Sequence, residues 1–176
     1  MAGKMYKPKN WIQGAISKKH KGFCSPLSKK TCTPRRKALA MRFKRGDLQS
    51  EVFPDVPVSF SEWHRKGHRV AIYSSGSVTA QRLVFEHTPY GNLLPLIDAF
   101  FDTRIGLKQD AKGYSSIVNA MGVEACQMLF VSDICAELEA AAHAGLSVAL
   151  SVRPGNSIQT NLSEYCVVYS LAELKV

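Results

Sequence analysis

Arg69-Val70-Ala71-Ile72-Tyr73-Ser74-Ser75-Gly76-Ser77-Val78 decides the fold. The first six residues form a short apolar run rich in β-branched and aromatic side chains, as a strand buried on both faces requires. Ser77 is placed to cap a helix carrying Ala80, Leu83, Val84 and Phe85. The same alternation continues outward. Upstream, Pro57 to Lys66 predicts a helix ending before Gly67. Downstream, strands are expected over Ala99 to Asp102, Met128 to Val131, Ser147 to Val152 and Tyr165 to Tyr169. Helices are expected over Ala111 to Met121, stopped by Gly122, and over Ala136 to Ala144, closed by Gly145. Strands separated by helical stretches of about ten residues imply right-handed crossovers. The fold class is α/β, a parallel sheet with helices on both faces.

Charge divides the chain near residues 46 to 51. Fourteen of the 23 Lys and Arg residues precede residue 51 and face a single acid, Asp47, for a net charge of +13; the remainder carries −4, and the two give the formal +9. The first segment also holds Pro8, Pro26 and Pro34 and few large apolar residues. Such a segment gains too little from burial to order itself. Residues 1–48 are therefore expected to be a basic arm, disordered or partly helical, with a helix feasible from Pro34 to Lys44. Residues 49–176 are expected to be the α/β domain.

No apolar run approaches the roughly 20 residues that span a bilayer, and lysines interrupt the N-terminus where a signal peptide would need apolar residues. Five irregularly spaced cysteines argue against a disulfide framework. The expectation is a cytoplasmic monomer with no membrane association.

In an open parallel sheet the chemistry gathers beyond the carboxyl ends of the strands. Ser74 and Ser75 end one strand there, and Asp133 ends another. Hydroxyls and amides of the Ser74-Ser75-Gly76-Ser77 turn suit phosphate oxygens at a helix start. Lys108, in Gly106-Leu107-Lys108, suits the same phosphate as a point charge. Asp133 suits a hard cation such as Mg²⁺.

Residues 52 to 156 resemble the enolase-phosphatase (acireductone synthase) family of the haloacid dehalogenase-like superfamily, whose fold is Rossmannoid. The resemblance is carried by Val52-Phe53-Pro54-Asp55-Val56-Pro57, Trp63-His64, Ile72-Tyr73-Ser74-Ser75-Gly76-Ser77-Val78, Phe101-Asp102-Thr103, Gly106, Lys108, Tyr114, Ser132-Asp133 and Val152-Arg153-Pro154-Gly155-Asn156. It implies Mg²⁺-dependent enolisation and dephosphorylation of 2,3-diketo-5-methylthiopentyl 1-phosphate, a small phosphorylated diketone of L-methionine salvage. On that pattern Ser74 and Ser75 bind the phosphate and Lys108 stabilises the phosphorylated intermediate. Asp133 holds one Mg²⁺ per chain.

The family opens with a strand ending in Asp-x-Asp or Asp-x-Glu, followed by a cap. Nothing in residues 1 to 50 matches that nucleophile, so the domain is expected to be incomplete. Its central strand is expected to be missing or borrowed from another chain, and Lys108 and Asp133 are expected to compensate charges no longer made. Turnover is expected to suffer accordingly.

Residues 10 to 45 also resemble small basic proteins encoded by tailed phages and their hosts. The charge density of this arm gives an alternative function, non-enzymatic nucleic-acid binding through Lys18, Lys19, Lys29, Lys30, Arg35, Arg36 and Lys37, driven by counterion release. His20, Cys24 and Cys32 fall one ligand short of a zinc site.

Overall fold

A computed structural model describes residues 10–14, 41, 50–156 and 162–175. In chain order the elements are β1 (Asn10–Gly14), α1 (Asp55–Arg65), β2 (Arg69–Ser74), α2 (Val78–Glu86), β3 (Ala99–Asp102), α3 (Ala111–Met121), β4 (Met128–Ser132), α4 (Cys135–His143), β5 (Ser147–Ser151) and β6 (Val167–Val168). Short 3₁₀ turns lie at Leu94–Leu96, Ala125–Gln127, Leu162–Glu164 and Leu171–Glu173. The six strands form one sheet in the order β3-β2-β1-β4-β5-β6. Every pairing in it is parallel.

Alternation along the strands sorts the core into two layers. On one face Val70 and Ile72 of β2 and Leu129 and Val131 of β4 pack with Val56, Phe60, Trp63 and Phe85 of α1 and α2. On the other, Ala71 and Tyr73 of β2 and Met128 and Phe130 of β4 pack with Tyr114, Ile117, Val118 and Leu138 of α3 and α4. Tyr73, Tyr114, Phe60 and Phe130 are fully buried. The helices thus cover both faces, as a sheet of doubly buried strands demands.

The expectation of a missing or borrowed central strand is corrected. β1 fills that slot, pairing Asn10 to Gly14 with Arg69 to Tyr73 on one side and Asn10 to Gln13 with Met128 to Val131 on the other. The sheet therefore draws on both sides of the charge seam. Pairing is a backbone property, and a five-residue extended segment between two parallel edges satisfies amides and carbonyls that would each cost about 1–3 kcal/mol if buried unpaired. The Trp11-Ile12 pair was the available signal, and the surrounding lysines masked it.

Of the stretch from Pro34 to Lys44, residue 41 is described, and it is helical and exposed. The basic residues Lys18, Lys19, Lys29, Lys30, Arg35, Arg36 and Lys37 and the His20, Cys24, Cys32 trio lie outside the described residues. Among the described residues no helix is long and apolar enough to cross a membrane.

Candidate active site at the strand ends

Ser74 closes β2 and lies in register with Asp102, the last residue of β3. The turn that follows is held from several sides. Ser74 Oγ accepts from the Gly76 amide at 3.2 Å. Gln81, buried in α2, donates Nε2 to the carbonyls of Gly76 at 2.7 Å and Phe101 at 2.8 Å, tying the turn to β3. Ser77 caps α2, accepting from the Ala80 amide at 3.4 Å.

The first amide of α2 already faces an anion, since Val78 N donates to Asp102 Oδ2 at 3.3 Å. Arg104 balances that carboxylate, its Nε donating to Oδ1 at 2.9 Å and its Nη2 lying 2.9 Å from Oδ2. The Arg104 hydrogen bond holds the Asp102 carboxyl below the usual carboxylate range, against the opposing effect of burial. The helix start that the sequence offers to phosphate is thus partly served by the protein's own carboxylate. Ser75 is exposed beside it.

Lys108 stands on a loop fixed by two buried tyrosines. Tyr73 Oη donates to the Gly106 carbonyl at 2.8 Å, and Tyr114 Oη donates to the Lys108 carbonyl at 2.7 Å. Burial first, then the charges of Glu137 and Asp110, pushes the Tyr73 hydroxyl up to about 12. Burial and Glu137 raise Tyr114 as well. Both hydroxyls therefore stay protonated donors at neutral pH.

Close backbone packing sets the same loop. A Cβ on Gly106 would stand 2.4 Å from Gly113 Cα, and one on Gly113 would stand 3.0 Å from the Leu107 carbonyl oxygen and 3.1 Å from Tyr73 Oη. Glycine is required at Gly106 because α3 approaches it at backbone contact.

The Lys108 ammonium reaches Glu137 Oε2 at 2.5 Å and lies 5.7 Å from the Tyr73 ring centroid. Ser132 Oγ donates to the same carboxylate oxygen at 2.8 Å. Tyr73 belongs to β2 and Ser132 to β4, the strands flanking β1, so the ammonium sits between those strand ends. The expectation that Lys108 compensates a charge no longer made is corrected, because Glu137 supplies one. Sequence reading passed over Glu137. The signal was its place shortly after Asp133, in the first turn of α4.

Asp133 differs from its neighbours in partner type. Asp102 has Arg104, Glu137 has Lys108 and Asp55 has Arg153. Among the described residues Asp133 has no cationic partner; its Oδ2 accepts from the neutral side-chain amide of Asn156. Ser74 ends β2, whereas Asp133 does not end β4 but directly follows Ser132, its last residue; the two strands lie two places apart in the sheet, roughly 10 Å by strand spacing. The structure thus joins Lys108 and Ser132 through their shared partner Glu137.

A magnesium ion is the cofactor the family resemblance implies. Among the described residues no three His, Cys, Asp or Glu side chains cluster as a ready-made cage. Mg²⁺ characteristically takes one or two carboxylates, with water and substrate phosphate completing its shell. Asp133 fits that pattern: its carboxylate, lacking a cation, would repel a phosphate unless a divalent ion lay between them.

A family model for haloacid dehalogenase-like hydrolases matches residues 12–145. The enolase-phosphatase E1 of Thioalkalivibrio sulfidiphilus is 49% identical over 114 residues, covering 65% of this chain and 51% of that protein. The enolase-phosphatase E1 of Drosophila mojavensis is 42% identical over 138 residues, covering 77% and 55%. The chain therefore spans about half the length of the curated relatives it matches. Among solved structures, the UTR4 protein of Saccharomyces cerevisiae superposes with a TM-score of 0.70 at 32% identity, covering 76% of this chain and 62% of that one. A dehalogenase at 22% identity and TM-score 0.62 shares the fold. The family match begins inside β1 and runs through α4, the same span that builds the strand ends described above. With that match and that sheet, the chain belongs to the haloacid dehalogenase-like hydrolase family.

Proposed function

We propose that this chain binds a small phosphorylated diketone of the enolase-phosphatase type, with its phosphate beyond the ends of β2 and β4. The observation that carries the reading is the Lys108 ammonium fixed between those two strand ends by Glu137 and by a loop pinned on two tyrosines. An ammonium has three donor hydrogens, so bonding to Glu137 leaves it able to meet a phosphate oxygen. Ser74 and Ser75 would supply hydroxyl and amide contacts from the side of β2. Asp133 would hold the magnesium ion, which when bound neutralises phosphate charge and orients the ester. The methionine-salvage substrate, 2,3-diketo-5-methylthiopentyl 1-phosphate, is the specific candidate on the strength of the enolase-phosphatase relatives.

The reading includes slow hydrolysis. β1 carries Asn10-Trp11-Ile12-Gln13-Gly14 and presents no carboxylate to attack phosphorus. Glu137 is buried, and its Oε2 is engaged by an ammonium and a hydroxyl, which suits it to hold Lys108 rather than to act as a nucleophile. Removal of a covalent nucleophile lowers turnover on the order of 10⁴- to 10⁶-fold.

Calorimetric titration of the purified chain with the diketo phosphate and Mg²⁺, alongside a phosphate-release assay, tests both parts. Binding that is lost in Lys108→Ala is expected. Binding unchanged by that substitution would refute the site, and release at an ordinary enzymatic rate of about 10 s⁻¹ would refute slow hydrolysis.

A further inference from the structure

The loop after β5, Val152-Arg153-Pro154-Gly155-Asn156, is bonded at both ends to carboxylates far apart in sequence. At one end Arg153 grips Asp55 at the start of α1, with Nη1 donating to Oδ1 at 3.1 Å and Nη2 to Oδ2 at 2.5 Å. The Ser170 hydroxyl at 2.9 Å and the Leu171 amide at 2.6 Å donate to the same Oδ2. The guanidinium also lies 4.8 Å from the Phe53 ring centroid. At the other end Asn156 folds back on the loop. Its Oδ1 accepts from the Arg153 amide at 2.6 Å, its amide nitrogen donates to the Arg153 carbonyl at 3.0 Å, and its Nδ2 donates to Asp133 Oδ2. The turn between them passes through Gly155 at φ 90°, a left-handed conformation suited to glycine.

We propose that Asn156 is a positioning residue for Asp133, and that the Asp55–Arg153 pair fixes Asn156 through this turn. The inference rests on the reading of Asp133 as the cation-holding residue. Two chemical features support it. The Asn156 amide has one satisfiable orientation, because its oxygen meets an N–H and its nitrogen meets a carboxylate. It is also a neutral donor, which holds one carboxylate oxygen in place without cancelling the charge a cation needs. The cation on that loop, Arg153, bonds Asp55 through both terminal nitrogens. Lys108 is paired with Glu137. Neither cation is bonded to Asp133, and its rotation is limited by an uncharged group.

The test is titration of the full chain with Mn²⁺ as the probe, followed by electron paramagnetic resonance, with thermal unfolding measured on each variant. Asp133→Asn is expected to abolish binding. Asn156→Ala is expected to weaken it about 10- to 100-fold, the range for a lost group behind a metal ligand, with little change in melting temperature. Asn156→Ser, which keeps a small polar residue in the turn but is too short to reach Asp133, should show the same loss and covers the case in which the alanine variant folds poorly. Arg153→Lys should weaken binding severalfold by loosening the turn. Mn²⁺ affinity of Asn156→Ala and Asn156→Ser within twofold of the parent, or tighter, while Asp133→Asn loses binding, would overturn the positioning role alone. No binding by the parent, or equal binding by Asp133→Asn, would overturn the cation reading and this inference with it.

Discussion

Lys108–Glu137 and Arg153–Asp55 are buried to similar degrees, with side-chain exposures of 13% and 12% in the first pair and 9% and 17% in the second, and each closes to 2.5 Å. Their surroundings differ. Asp55 receives a two-pronged guanidinium, a hydroxyl and a backbone amide, so both of its oxygens are occupied. Glu137 receives an ammonium and a hydroxyl on a single oxygen. Arginine's planar fork suits a saturated structural joint, here between the start of α1, the loop after β5 and the turn at Leu171. Lysine's point charge suits a site that must also meet a second anion. One pair is built to stay closed; the other can share its cation.

The largest expected effect comes from breaking the saturated pair. Arg153→Met strands Asp55 among donors too few to replace the guanidinium, and loss of one partner of a buried pair costs about 3–5 kcal/mol. Urea unfolding should show that loss. A parent-like midpoint would mean the joint carries no stability. The pH profile sharpens the point. Burial alone would raise the Asp55 carboxyl, but hydrogen bonds from Arg153, Leu171 and Ser170 outweigh it and hold the carboxyl below 3.8. A depressed folded-state value means the stabilisation is present above about pH 4 and is lost as pH falls through the lower folded value. The parent should therefore lose stability below pH 4 more steeply than Arg153→Met.

Gly106→Ala comes next. The added Cβ meets backbone, not a yielding side chain, at 2.4 Å, and overpacking of this kind costs about 1–3 kcal/mol or somewhat more. The Lys108 loop must move, so loss of stability should accompany loss of phosphate-ester binding. A stability loss with binding intact would separate the loop from the site.

Glu137→Gln probes the shared cation directly. It removes the charge beside Lys108 and retains an acceptor for Ser132, at a cost of about 2 kcal/mol, in the range for hydrogen bonds to charged groups. Affinity for inorganic phosphate should rise severalfold as Lys108 loses its competing anion. Asp55→Asn should give no such rise. Equal responses from the two variants, measured by calorimetry, would erase the distinction between the pairs.

Much of the sheet was legible because its signals are local. Arg69–Ser74, Ala99–Asp102 and Ala111–Met121 fall where apolar runs and the Gly122 stop place them, Gly122 adopting φ 64° as a helix-ending residue. α1 starts at Asp55, earlier than the expected Pro57, because a proline in the first helical turn gives up an amide that has no partner there anyway. β1 was not legible. Its five residues sit among lysines, and what makes them a strand is the vacancy between two distant edges rather than their own pattern. Strand ends and loop position name Ser74, Lys108 and Asp133 as candidates. Glu137 was missed because its partner Lys108 is 29 residues away. Burial of a charge is decided by what packs over it, and sequence spacing does not report that.

The smallest expected effect tests how Lys108 is held from behind. Tyr73→Phe keeps the ring, which meets Tyr114 edge-on at a centroid distance of 5.5 Å, and removes the 2.8 Å hydrogen bond to Gly106. The stability cost should be about 1 kcal/mol. The Gly106 carbonyl loses its buried donor, so the loop should loosen at Gly106 while the Tyr114 bond still holds the Lys108 carbonyl. Hydrogen exchange should therefore quicken near Gly106, and phosphate-ester affinity should fall by less than in Gly106→Ala. The aromatic packing and the Arg153–Asp55 joint should be untouched, so acid sensitivity should match the parent. A change in the acid limb of Tyr73→Phe would mean that the two buried pairs are coupled through the sheet, and the division between a closed joint and a shared cation would fail.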